Sequence, residues 1–217
     1  MKLYYWLMGI LFPPKCVLCR KLLEASETDL CRTCRVDSPE YPGGKRKLQF
    51  LDSFTAVWYY EGSVRSSMLR YKFYGARSYA APYGRFLAMK LLREYPEGFD
   101  VVTWIPVSRL RKIRRGYDQV ELLARAVGKE LGMEPVPTLK KIRHNRQQSH
   151  ISDFARRRAN VLGVYRVENP AAVRGKRILL LDDILTTGAT ASEAGRVLMT
   201  AEAKEVHCAA VAAARKH

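Results

Sequence analysis

The sequence predicts an α/β fold built on a parallel sheet, with a small metal-binding module ahead of it. Three observations carry this. Unbroken apolar runs alternate with segments of helical spacing, which is the order that builds a parallel sheet. One such run ends in two adjacent carboxylates and a loop of small residues, in ILLLDDILTTGAT. Two Cys-x2-Cys pairs stand near the N-terminus. At 217 residues and 47% hydrophobic content, one α/β domain plus a small module can bury a normal core.

Residues 1–12 are an apolar lead, and 13–36 contain the four paired cysteines. Residues 37–50 read as a linker, because Pro39, Pro42, Gly43 and Gly44 punctuate them and Lys45, Arg46 and Lys47 follow. A strand is expected over 54–60. Helical spacing runs over 64–74 and 80–95. A strand over 100–105 stops at Pro106. An amphipathic helix covers 117–131. Residues 142–158 are polar and basic and read as a mobile loop. Strands follow over 161–167 and 177–181, then a helix from Ala191 and a last strand over 205–212. The division expected is 1–48 for lead, cysteine module and linker, and 49–217 for the sheet domain.

Between the strand at 177–181 and its helix lie Asp182 and Asp183, then Thr186, Thr187, Gly188, Ala189 and Thr190. Thr190 and Glu193 have the spacing of a capping box, so the helix is expected to start there. Backbone N–H groups and hydroxyls at such a helix start suit a phosphate monoester. The aspartates stand one step earlier, within reach of sugar hydroxyls or of waters on a divalent cation. An ordinary strand-to-helix turn is the alternative, but buried strands seldom end in two unpaired carboxylates. No Walker A or G-x-G-x-x-G pattern occurs.

A second basic motif follows the strand that stops at Pro106. It holds Ser108, Arg109, Arg111, Lys112, Arg114 and Arg115, and ends at Gly116. Guanidinium forks match the oxygens of a diphosphate. Taken alone the motif is weak, since basic loops are common.

Cys16, Cys19, Cys31 and Cys34 form two pairs separated by eleven residues. Four thiolates so spaced suit a closed tetrahedral Zn2+ site. A disulfide framework and a redox pair are the competing readings, and no cleavable signal peptide favours the former. Cys208 lies in EVHCAAVAA and reads as a small buried hydrophobe.

The net charge is +17 and the pI about 9.9. Residues 109–158 hold 14 Lys and Arg against 5 Asp and Glu, over half of that excess. Such a field suits polyanions, or serves as a solvated surface. The aromatics Tyr71, Phe73 and Tyr74 stand among basic residues, where they either stack bases or face a helix core. The opening LYYWLMGILF is too short to cross a bilayer. It reads as an amphipathic helix packed on the domain or a partner, or as an interfacial anchor. With no transmembrane segment expected, the protein reads as cytoplasmic.

The run, Asp-Asp and Thr-Thr-Gly-x-Thr resemble the 5-phosphoribosyl-1-pyrophosphate (PRPP) signature of type I phosphoribosyltransferases. With the cysteine knuckle and the P-V-x-x-x-R…R-G-Y-x-Q segment, the whole chain is similar to the ComF (ComFC-type) family. Those proteins join a zinc finger to a type I phosphoribosyltransferase domain and are linked to DNA uptake in natural transformation. The match extends to Glu61, Gly62, Arg65, Leu69 and Lys72. The sequence departs from the family at Asn145, where Thr is usual, and at Asp118, where Asn is common; Arg156 and Arg157 compete for one arginine position.

The resemblance implies a fold and a set of roles. Asp182 and Asp183 are the catalytic pair, holding ribose hydroxyls and hydrated Mg2+. Thr186, Thr187, Gly188, Ala189 and Thr190 hold the 5′-phosphate. Val107, Ser108, Arg109 and Arg115 hold pyrophosphate. Arg143 and Arg146 belong to a loop that closes over the site. Cys16, Cys19, Cys31 and Cys34 hold structural Zn2+. Phosphoribosyl transfer to an acceptor, in DNA uptake, is the function implied. A non-catalytic competence factor binding single-stranded DNA, with other DNA-uptake proteins as partners, and a PRPP-sensing regulator are the alternatives. The acceptor is not written in the sequence; its choice falls to a hood made of the knuckle and residues 50–75.

Overall fold

A computed structural model of the protein describes residues 13–42, 46–143 and 162–215. Its helices are α1 (Arg32–Asp37), α2 (Gly62–Phe73), α3 (Ala80–Glu94), α4 (Arg109–Arg115), α5 (Gln119–Leu131) and α6 (Ala189–Thr200). Its strands are β1 (Arg46–Leu48), β2 (Leu51–Tyr59), β3 (Val101–Trp104), β4 (Leu139–Lys141), β5 (Tyr165–Val167), β6 (Arg177–Leu185) and β7 (Glu205–Ala213).

The main sheet has the order β1-β2-β7-β6-β3. β2, β7, β6 and β3 run parallel, and β1 closes one edge antiparallel to β2. β6 and β7 sit in the middle, and their unbroken apolar runs follow from burial on both faces. The period of two sorts the side chains. Leu179 and Leu181 face one core with Met68 and Tyr71 of α2, Leu87 of α3 and Leu123 of α5. Ile178 and Leu180 face the other, with Ala191, Ala194 and Leu198 of α6. Cys208 of β7 is fully buried, as a small hydrophobe should be.

The cysteine knuckle joins the first of these cores through Val17, Leu18 and Leu30. Ser67 Oγ donates to the Val17 carbonyl, and the Arg70 guanidinium donates to the Leu18 carbonyl. Arg85 grips Asp29 with two bonds of 2.8 and 2.6 Å. Thus α2 holds the knuckle by its turn carbonyls, and α3 holds it by the Asp29 carboxylate.

Several expectations are corrected. Residues 37–50 are not a plain linker. Glu40 bridges antiparallel to Trp58, β1 pairs with β2, and Tyr41 is buried against Phe54 and Tyr59. These pairings span few residues, so Pro and Gly dominate the local signal. The strand expected at 161–167 is the three residues of β5. The basic stretch after Ser108 is helical, α4, and ends at Gly116 in the left-handed region with φ 75°. The capping box does not form. α6 is capped by Gly188, also at φ 75°, and begins at Ala189. Glu193 instead accepts from the Gly163 amide at 2.8 Å and pairs with Arg196.

Among the described residues no helix is long and apolar enough to cross a membrane. The apolar lead, Arg146 and most of the basic loop lie outside the described residues. Arg143 is described and exposed.

Candidate functional site

A cleft of about 590 Å³ opens at the carboxyl ends of β3 and β6. In open parallel sheets this is where ligands bind. Asp182, Asp183, Thr186, Thr190, Val107 and Arg115 line it. So do Arg111 of the basic motif and four residues to which the sequence motifs assigned no role in the site: Lys72, Gln119, Lys141 and Tyr165.

Both aspartates lie within β6, so they project to opposite faces of the strand. Asp183 is buried and meets α2 and α5. Lys72 Nζ lies 3.0 Å from its carboxylate, and Gln119 Nε2 donates to Oδ2 at 2.8 Å. It is therefore not the unpaired carboxylate expected from sequence. Burial alone pushes the Asp183 carboxyl up, but the Lys72 ammonium and the Gln119 amide outweigh burial and hold it below the usual carboxylate range. Asp182 is half-buried on the other face and accepts from the Asp183 amide at 2.8 Å. Burial, and then the charge on Asp183, raise its pKa to about 8. Burial and the Asp183 charge thus favour one charged carboxylate beside one protonated neighbour.

A stability test follows. A carboxyl whose folded pKa is raised contributes stability below its ordinary pKa, and that contribution is lost as pH rises through the folded value. Asp182→Asn is therefore expected to stabilise the ligand-free protein at pH 9 by on the order of 2 kcal/mol, discounted for water in the cleft. The gain should vanish near pH 4. Thermal melts across that range check it, and a gain that grows toward low pH contradicts it.

The wall opposite is the segment from Val107 to Gln119. Asp118 caps α5, accepting from the Val120 and Glu121 amides, and its second oxygen accepts from the Val107 amide at 3.1 Å. One side chain thus fixes both ends of the basic segment. Because 111 and 115 are one helical turn apart, Arg111 and Arg115 face the cleft together. Arg109 is exposed and does not line the cleft, and Lys112 turns to Glu121 at 3.0 Å. Arg115 lies over the Phe73 ring at 4.9 Å. Burial lowers its pKa, and the Asp183 charge opposes that. Its Nη1, the Ser108 hydroxyl and Gln119 Oε1 are buried without a hydrogen-bond partner. On the far side, Lys141 of β4 lies 5.4 Å over the Tyr165 ring. Burial, and then the Arg111 charge, lower the Lys141 pKa to about 8.

The Thr186–Thr190 loop turns at Gly188. A Cβ there would meet Leu48 Cδ1 at 2.7 Å, and the positive φ adds a second reason for glycine. Thr187 Oγ1 accepts from the Ala189 amide at 3.3 Å. Thr186 and Thr190 line the main cleft, while Thr187 and Gly188, with Thr186 again, line a separate 340 Å³ recess. Ala189 begins α6 and lines neither of the two.

At the knuckle, the sulfurs of Cys16, Cys19, Cys31 and Cys34 all lie within 4.8 Å of one another, and no disulfide joins them. The Cys19 and Cys31 sulfurs are 3.6 Å apart. Tetrahedral Zn–S bonds of about 2.3 Å place sulfurs roughly 3.8 Å apart, so the cluster can hold zinc. Burial raises the Cys16 thiol, but amides of Cys19, Cys31 and Leu18 outweigh it and bring the pKa to about 7. Thiolate is thus favoured at the first ligand.

A family model described as the phosphoribosyl transferase domain matches residues 85–217. The competence protein ComFC of Streptococcus pneumoniae is 31% identical, over 87% of this chain and 77% of that protein. The DNA utilization protein YhgH of Salmonella typhimurium is 27% identical, over 86% of this chain and 91% of that protein. ComFC of Bacillus subtilis is also 27% identical, over 85% of this chain and 71% of that protein. Among solved structures, an allosteric regulatory enzyme of purine biosynthesis aligns at 22% identity with a TM-score of 0.43, over 65% of this chain. The glutamine PRPP amidotransferase of B. subtilis aligns with the same identity and score. This chain spans 29% and 30% of those two proteins.

Proposed function

The chain belongs to the ComF (ComFC-type) family of phosphoribosyltransferase-domain proteins, and from that premise we propose that it binds Mg2+–PRPP in the cleft and transfers its phosphoribosyl group, in the service of DNA uptake. One observation carries the reading. The Asp182–Asp183 end of β6, the amino end of α6 and the Arg111–Arg115 face of α4 meet in a single cleft. Each suits one part of PRPP: a diol, a phosphate monoester and a diphosphate.

The chemistry asks little covalent help from the protein. Carbon–oxygen cleavage at the anomeric carbon leaves negative charge on the departing diphosphate and positive charge on the sugar. Arg111 and Arg115 stabilise the first, and the Arg115 Nη1 and Ser108 hydroxyl left without partners gain acceptors. Asp182 and Asp183 hold the ribose hydroxyls and face the cationic sugar. Arg109 is replaced in the diphosphate role by Arg111, since the helical turn of α4 aims 111 and not 109 at the cleft. Asp182 and Asp183 are the residues that would hold Mg2+ through its waters, and the ion would supply positive charge to the departing diphosphate. The basic loop with Arg143 and Arg146 would exclude water during transfer. Zn2+ held by the four cysteines fixes the knuckle.

A second reading rests on the surface beside the cleft. Tyr71 is buried in the core, but Phe73, whose ring lies under Arg115 of α4, and its neighbour Tyr74 are exposed. Aromatics beside arginines suit stacked bases of single-stranded DNA. Such binding should weaken with salt, because each phosphate neutralised releases roughly 0.7 of a counterion. Changing Arg111, Lys112 and Arg114 together to Ala should flatten the slope of log affinity against log salt by about one to two. Arg111 also lines the cleft, so PRPP should compete with DNA. An unchanged slope would mean that the basic surface is only solvated. PRPP binding without turnover on any acceptor would favour a PRPP-sensing regulator.

A further inference from the structure

Gln119 does not serve the cleft only by holding Asp183. It is the first residue of α5 and is buried, with 1% of its surface exposed. Its backbone is fixed twice: Asp118 caps the helix start, and the Tyr71 hydroxyl donates to the Gln119 carbonyl. Its side chain is fixed once, by Asp183. A charged carboxylate only accepts, so the amide must turn Nε2 toward Asp183, as it does at 2.8 Å. That leaves Oε1 as an acceptor in the cleft wall, buried and without a partner. An acceptor held this rigidly costs about 1–3 kcal/mol until a donor meets it.

We propose that Gln119 reads the sugar: its Oε1 accepts a hydrogen bond from a ribose hydroxyl of the bound ligand. The inference rests on the PRPP reading above. The phosphate groups of such a ligand are anionic acceptors and suit amides and guanidinium groups, whereas its ribose hydroxyls donate. Gln119 and Asp183 line the same cleft and are bonded to each other, so in that reading the amide oxygen stands next to the carboxylate that holds the diol. Loss of a hydroxyl would leave the buried oxygen unsatisfied, which is how a site built to pair a hydroxyl rejects the analogue lacking it. Ribose is thereby distinguished from deoxyribose.

The test compares ribose 5-phosphate with its 2-deoxy and 3-deoxy analogues by calorimetric titration, in the parent protein, Gln119→Met and Lys72→Met. The parent should bind ribose 5-phosphate on the order of tenfold more tightly than at least one analogue. Gln119→Met should bring that ratio close to one. Lys72→Met also deprives Asp183 of a donor but keeps the amide oxygen, so it should weaken binding and preserve the ratio. Gln119→Ala, which only deletes atoms, carries the same test where the Met variant fails to fold. A parent ratio of one, a ratio unchanged in the Gln119 variants, or a ratio lost equally in Lys72→Met overturns the inference. Failure of the parent to bind Mg2+–PRPP at all would instead remove the reading beneath it.

Discussion

Stripping the metal from the knuckle, or changing Cys16 to Ser, is expected to destabilise the fold well beyond the first forty residues. Structural zinc contributes folding free energy outright, about 10–16 kcal/mol in isolated finger peptides. That is comparable with the whole stability of an ordinary domain. A module with a core of its own would unfold and leave the sheet domain largely intact. The packing argues otherwise. Val17, Leu18 and Leu30 share one core with Met68, Tyr71 and Leu87. Ser67 and Arg70 of α2 hold the knuckle carbonyls, and the next residues, Tyr71 and Lys72, hold Gln119 and Asp183. Loss of metal should therefore loosen α2 and weaken ligand binding at the cleft. Elemental analysis should find one Zn2+ per chain. Chelation should lower the thermal midpoint of the whole protein in a single transition. Protein purified without chelator that carries no zinc, or that melts identically after chelation, would contradict this.

Asp182→Asn with Asp183→Asn is expected to lose Mg2+-dependent PRPP binding by a hundredfold or more, since two charge-assisted contacts go together, each roughly 1.5–3 kcal/mol. The effect on stability should be mixed. Asn at 182 relieves a carboxyl that burial has already driven to a pKa of about 8. Asn at 183 leaves the Lys72 ammonium without its carboxylate at 3.0 Å. The single variants should thus move the thermal midpoint in opposite directions at pH 8, and the double variant should fall between them. Circular dichroism melts separate the two contributions. A double variant that binds PRPP as tightly as the parent would remove the site assignment.

Much of this was legible in the sequence because strong local signals coincide. The apolar runs of β6 and β7, the Asp-Asp step and the paired cysteines each impose one structure on a short stretch. What stayed hidden depends on distant contacts. Lys72 and Gln119 sit 111 and 64 residues from Asp183, and nothing local marks them as its partners. The helical spacing of 64–74 did place Lys72 on a helix, but which face met the site depended on how α2 packs. The choice of Arg111 over Arg109 depended on α4 being helical, and seven residues crowded with arginine look locally like a basic loop. The Thr190–Glu193 capping box failed because Gly188 turns the chain into the helix two residues earlier, which frees Glu193 to hold Gly163. Pairings of two or three residues, such as β1 and the Glu40–Trp58 bridge, are too short for any periodicity to show.

The central claim is that the cleft takes PRPP with its cation. Isothermal titration of PRPP into the zinc-loaded parent protein tests it most directly, once with Mg2+ and once with EDTA-treated ligand added to protein whose zinc is retained. The account predicts saturable binding at one site per chain that strengthens at least tenfold with Mg2+ and is lost in the double aspartate variant. No heat of binding with Mg2+ present, or binding indifferent both to Mg2+ and to the aspartates, would contradict it.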